Sequence, residues 1–181
     1  MRNRGALLAV STALIISLLV GCTTTKKAAD FRFLDDFDAG LITPAEEKGS
    51  PTGKPAFIMD DFTVGSQQRR AMIVMASAKI VFDVGQVSGP SKLKFSVGMN
   101  ATIGDGAEGI IEVEADGQTE IVYHRYLDPI DRPDDRRWFD ESVDLSKFSG
   151  KRIKISFKTG PGPKGDAIAD WFAWSNIEVT S

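Results

Sequence analysis

From residue 57 onward, apolar and polar residues alternate with a period of two. Ala78, Ile80, Phe82 and Val84 alternate with Lys79, Val81 and Asp83, and Leu93, Phe95, Val97 and Met99 with Lys92, Lys94, Ser96 and Gly98. Ile111, Val113 and Ala115 alternate with Glu112 and Glu114, and Ile153, Ile155 and Phe157 with Arg152, Lys154, Ser156 and Lys158. Each pattern predicts a half-buried strand with one wet face. Gly89-Pro90, Asp105-Gly106, Asp116-Gly117 and Ser149-Gly150 separate the runs as turns. Asp116-Gly117, between 109–115 and 119–126, predicts a tight hairpin. Residues 119–126 carry apolar side chains in both parities, so both faces of that strand are expected to be covered. No helical stripe persists beyond about two turns. Many antiparallel strands at close spacing predict an all-β, two-sheet sandwich.

The start of the chain is a different material. Arg2 and Arg4 precede an apolar run, Ala6 to Val20, broken by Ser11, Thr12 and Ser17. That is the layout of a cleaved signal peptide, and the run falls short of the roughly 18–20 residues of a spanning helix. It ends Leu19-Val20-Gly21-Cys22, which resembles the lipobox of bacterial lipoproteins. The resemblance implies cleavage before Cys22 and a diacylglycerol on its thiol, so that lipid anchors the protein in the cell envelope. Thr23, rather than Asp, implies the outer membrane if the host is Gram-negative. An ordinary signal peptide with a chance cysteine, or an uncleaved anchor, ranks below this reading. Residues 22–30 then read as lipidated Cys and flexible tether, and 31–181 as one domain with a loop-rich part over 38–56, where Pro44, Gly49, Pro51 and Gly53 exclude a helix.

Composition narrows the function classes. The chain has 181 residues, enough for one domain with a real core, and a single Cys and a single His. That count excludes a disulfide framework, a Cys-based zinc site and a multi-histidine metal site. The net charge is −3 and becomes −5 once residues 1–21, with two arginines and no acid, are removed. An acidic chain without a basic run argues against nucleic acid as a partner.

One stretch carries a further resemblance. Trp138 is followed by Val143-Asp144-Leu145-Ser146, Phe148, Gly150-Lys151 and the alternating strand from Ile153. Then come Phe157-Lys158-Thr159-Gly160-Pro161-Gly162, Asp170-Trp171-Phe172-Ala173-Trp174 and the closing Ile177-Glu178-Val179. This phrase resembles the galactose-binding-like jelly-roll sandwiches found as carbohydrate-binding modules and envelope accessory domains. The resemblance spans roughly 57–180. It implies a jelly-roll fold and, more loosely, a non-catalytic glycan-binding module, because this sandwich also hosts protein-binding and structural domains.

Candidate chemistry is sparse. If an aromatic lies on a wet face it stacks on a sugar, with polar neighbours bonding the hydroxyls. Trp138, Phe172 and Trp174 are the aromatic candidates, with Arg136 and Arg137 as a polar rim. The competing reading, that both faces are covered at Phe172 and Trp174, ranks first. The resembling modules often carry a structural Ca²⁺ near their terminal strands, which implies Asp60, Asp61 and Glu178 as an oxygen cage; mere solvated charge ranks slightly above it. Asp128, Asp131, Asp134 and Asp135 are interleaved with Arg132, Arg136 and Arg137, which are expected to neutralise them. The glycines of 104–109 precede a strand, so no phosphate cradle is expected. Lys164-Gly165-Asp166 reads as a turn. His124 lies mid-strand with no nucleophile elbow, so a structural role is expected. The ordered readings are a membrane-anchored glycan-binding module, then a structural or protein-interaction domain of the envelope, then a small glycan-active enzyme.

Overall fold

The computed structural model describes residues 27–37, 41–43, 54–100 and 104–181. Ten strands follow in chain order: β1 Leu41–Thr43, β2 Ala56–Val64, β3 Gln67–Met75, β4 Lys79–Gln86, β5 Lys92–Met99, β6 Ala107–Ala115, β7 Gln118–Leu127, β8 Phe139–Asp144, β9 Arg152–Gly160 and β10 Trp171–Thr180. They form two antiparallel five-stranded sheets, ordered β1-β4-β9-β6-β7 and β2-β3-β10-β5-β8. The all-β sandwich expected from the alternation is therefore the fold, with only single 3₁₀ turns beside it among the described residues. Cys22, the leader before it and most of the loop expected over 38–56 lie outside the described residues.

Alternation places one parity of each strand between the sheets. Ile80, Phe82 and Val84 of β4 and Ile153, Ile155 and Phe157 of β9 meet Leu93, Phe95 and Val97 of β5 and Phe172 and Trp174 of β10 in one buried cluster. Aromatic rings bind its centre edge to face: Phe157 and Trp174 lie 5.1 Å apart, and Phe33 and Phe82 5.5 Å. Asp116 (φ 53°) and Gly117 (φ 76°) join β6 to β7, both in the left-handed region that a two-residue hairpin turn needs.

The tether expected over residues 22–30 is shortened by the structure. Lys27 bridges Gln86, Ala28 is fully buried and Phe31 and Phe33 enter the core. Burying these apolar side chains against β4 and β9 outweighs leaving them in solvent, so the domain begins near residue 27.

Four bulges interrupt the ladders and aim side chains off the regular alternation: Asp83/Gly85 between β4 and β9, Met59/Phe62 between β2 and β3, Ile111/Glu112 between β6 and β7, and Ser175/Glu178 between β10 and β5. The last is centred on Asn176, whose φ is 50°. Beyond its own bulge, the β2–β3 hairpin lays its tip over the outer face of β10 and β5. Val64 Cγ2 comes within 2.9 Å of where a Cβ on Gly98 would sit, and Trp138 Cε3 within 3.1 Å. Phe62, Val64, Ala71, Ile73, Trp138 and Ala173 form a second, smaller apolar cluster there.

Candidate functional site

The outer face of the β2-β3-β10-β5-β8 sheet carries the best-organised polar constellation. The strands bring four residues together around Ser96 of β5. Arg69 Nη1 of β3 donates to Ser96 Oγ and to Asp140 Oδ1 of β8, both at 2.7 Å. Ser96 Oγ donates to Asp140 Oδ1 at 2.6 Å, and Asn176 Nδ2 of β10 donates to Ser96 Oγ at 3.3 Å. Asn176 reaches this row because the bulge turns it outward. Arg69 and then Ser96 hold the Asp140 carboxyl below its ordinary range, so it is ionised through neutral pH. An open groove of about 620 Å³ follows this network, lined further by Lys94, Ser142 and Glu178.

Trp138 sits behind the network. It is 7% exposed, its Nε1 donates to the Gln67 carbonyl at 3.1 Å, and the Arg69 guanidinium lies 5.2 Å from its ring centroid. It props Arg69 and offers little face to a ligand. Phe172 and Trp174 are each 0% exposed inside the sandwich, so neither stacks on a sugar. The inward parity of β10 ahead of its bulge puts them there. The expected rim is also dispersed. Arg136 Nε donates to Pro129 O at 2.6 Å, while Arg137 lies 4.5 Å from the Phe139 centroid, whose other neighbour is Arg125 at 3.7 Å.

The acids of loop 128–135 are not held by those arginines as expected. Asp128 N donates to Asp135 Oδ2 at 2.9 Å, and Asp131 N to Asp128 Oδ1 at 3.1 Å. Lys164 makes their ion pairs, 2.9 Å from Asp131 and 3.8 Å from Asp128, and Arg132 acts on Asp128 only from farther away. Asp60, Asp61 and Glu178 do not form a cage. Asp60 faces Arg70 Nε at 3.1 Å, Glu178 faces Lys94 at 3.7 Å, and all three are exposed on the surface. Among the described residues, no three Asp, Glu, His or Cys side chains assemble as a metal-holding group. His124 is exposed, with Nε2 3.5 Å from Glu108.

Arg69, Ser96, Asp140 and Asn176 escaped the sequence reading. They lie 27, 44 and 80 residues apart along the chain in their successive bonds. The one local signal is Ser175-Asn176, a polar pair inside an otherwise apolar run.

No family model matches the chain. An uncharacterized protein of Archaeoglobus fulgidus is 35% identical over 105 residues, covering 55% of this chain, and the chain spans only 26% of that relative's length. Among solved structures, TmCBM61 in complex with β-1,4-galactotriose aligns with a TM-score of 0.53 at 12% identity, covering 80% of this chain and 89% of that one. CBM51 from Clostridium perfringens GH95 in complex with methyl-galactose aligns at 0.45 and 17% identity, covering 78% and 88%. In fold, the chain is similar to carbohydrate-binding modules.

Proposed function

We propose that this protein is a non-catalytic glycan-binding module held to the cell envelope by a lipid on Cys22. The observation that carries the binding reading is the Arg69–Ser96–Asp140–Asn176 network on an open sheet face. Sugar hydroxyls donate and accept at once. Asp140, with its side chain 72% exposed, offers acceptor oxygens, and Arg69 and Asn176 offer donors. The network is already bonded together, so little ordering accompanies binding. The sandwich it shares with TmCBM61, which is described in complex with β-1,4-galactotriose, supports galactose-containing chains as the first probes.

A glycan array that includes β-1,4-galactan oligosaccharides tests the reading. Binding that is lost in Asp140→Ala is the expected result, and no binding to any glycan overturns it. Release of reducing ends from galactan by the purified chain would overturn the non-catalytic part. For the anchor, the leader and Gly21-Cys22 support lipidation; Cys22→Ser is expected to move the protein from the membrane fraction to the soluble one, and unchanged membrane association overturns it.

A second reading, an envelope protein-interaction domain, is favoured by one observation. Phe57 and Trp171, ring centroids 5.9 Å apart, remain partly exposed beside Met59 on the same sheet face. Pull-down by Phe57→Ala and wild-type protein separates it from the glycan reading, since Phe57 does not line the groove.

A further inference from the structure

The first groove does not end at Asn176. A second groove of about 560 Å³ opens on the other side of that residue, and Asn176 and Glu178 line both. The rest of its wall comes from the entry segment, through Arg32 and Leu34, and from Arg70 of β3. The bulge in β10 makes the junction. Asn176, at φ 50°, stands exposed between the two grooves, and the Oγ of Ser175 before it donates to the Arg70 carbonyl at 2.7 Å. One irregularity thus supplies a polar group to the first groove and fixes a wall of the second.

That wall is held in place. Phe33 is 0% exposed and packs edge to face against Phe82 and Phe157. Arg32 N donates to Asp36 Oδ2 at 3.2 Å, and Asp36 N donates to Arg32 O at 2.6 Å. Arg70 Nη1 donates to Asp35 Oδ1 at 2.6 Å and Nη2 to the Leu34 carbonyl at 3.4 Å. Little ordering of the wall is left for a ligand to impose.

The charges decide the ligand class. Arg70 is matched by Asp35 and by Asp60 at 3.1 Å, and Glu178 by Lys94 at 3.7 Å. The Arg32 side chain is exposed, and among the described residues nothing bonds its guanidinium. Paired charges with one free donor fork suit the hydroxyl and ether oxygens of an uncharged chain. Leu34 and Ile177 add apolar surface for the C–H face of a sugar ring. Each groove alone falls in the range of about 300–1,000 Å³ typical of a small-ligand site.

We propose that the second groove is a further subsite for the same glycan, so that the protein holds an interior stretch of an uncharged polysaccharide rather than a chain end. This rests on the glycan reading of the first groove. Arg32 would donate to the sugars lying beyond Asn176, and a chain filling both grooves makes its second set of contacts intramolecularly.

The test is calorimetry on the full chain in detergent. The probes are the trisaccharide and hexasaccharide of the strongest array binder, starting with β-1,4-galactan. The wild type should bind the hexasaccharide at least roughly tenfold tighter than the trisaccharide. Arg32→Ala, with an unchanged melt, should remove that gain and leave trisaccharide affinity as it was, whereas Asp140→Ala should weaken both. On the long polymer, several protein molecules should load per chain. Equal affinity for the two lengths, a hexasaccharide affinity untouched in Arg32→Ala, or an equal loss for both lengths in that variant would each overturn the second subsite and leave the first groove standing. One protein per polymer chain would overturn interior binding, and a charged polysaccharide as the strongest binder would overturn the ligand class. Silence of the wild type toward every glycan sinks the glycan reading and this inference with it.

Discussion

The ring of Phe172 in β10 lies against the α-carbon of Gly109 in β6, across the interior from one sheet to the other. A Cβ on Gly109 would come within 2.3 Å of Phe172 Cε1 and Cζ. The two sheets are thus locked at a spacing that only a glycine permits here. Gly109→Ala is expected to cost about 1–3 kcal/mol by overpacking, and Phe172→Ala about 3–5 kcal/mol by leaving a cavity. Urea unfolding measures both. Glycan binding by whatever Phe172→Ala protein remains folded should be unchanged, because the ring never reaches the groove.

The polar network on the opposite side of β10 behaves differently. Asp140→Ala and Arg69→Ala each remove a partner from a bonded set and are expected to cost about 1–3 kcal/mol of glycan affinity. Asp140→Ala should leave stability nearly unchanged, since its carboxylate is mostly exposed. Arg69→Ala should cost more stability, because Arg69 also covers Trp138. Isothermal titration against the best array ligand, with parallel melts, separates the two effects. Because Arg69 and then Ser96 hold Asp140 below its ordinary range, binding should persist where a free aspartate already begins to protonate and decline only at more acid pH.

Asp170 imposes a pH dependence of the opposite sign. Its carboxyl titrates at about 7 in the folded protein, against 3.8 ordinarily, through burial and then Asp105, with Asp166 and Asp128 adding. The folded state therefore keeps a proton that the unfolded chain has lost. Stability should fall as pH rises from about 4 to about 7, by at most about 4 kcal/mol for this group. Asp170→Asn should flatten that slope and exceed the wild type above pH 7. Urea midpoints of the two proteins across this pH range read the effect.

The β6–β7 turn gives a purely local test. Gly117 has φ 76° and open space around its Cα, so Gly117→Ala meets no neighbour and suffers only backbone strain. A cost of about 1–2 kcal/mol is expected, whereas Asp116→Asn, which tolerates the same region, should be close to neutral. Thermal melts suffice.

Strand alternation and the Asp116-Gly117 turn were legible because their causes are local: a side chain's face follows from its parity, and a turn from its two central residues. The site was not legible, for a reason visible in β10. Parity places Phe172, Trp174, Asn176 and Glu178 on one face. The bulge at Asn176 adds a residue, so Phe172 and Trp174 point inward while Glu178 points out toward Lys94. The bulge near Asp60 and Asp61 breaks the same inference in β2. The pairings that assemble Arg69, Ser96 and Asp140 depend on sheet order, and no spacing within the chain encodes that order.

The chain enters the sandwich at Lys27, at one end of β4. Lys27 meets Gln86 at the finish of β4, while the start of β4 adjoins the turn that holds Asp170. Eight residues of strand at ~3.3 Å each separate these two poles by ~26 Å. Cys22 lies five residues before Lys27, a reach of at most ~18 Å. A lipid at Cys22 would stand the sandwich upright on its entry pole, with the Asp170 pole farthest from the bilayer. On that proposed anchoring the groove, which lies on a sheet face, would open sideways, parallel to the bilayer.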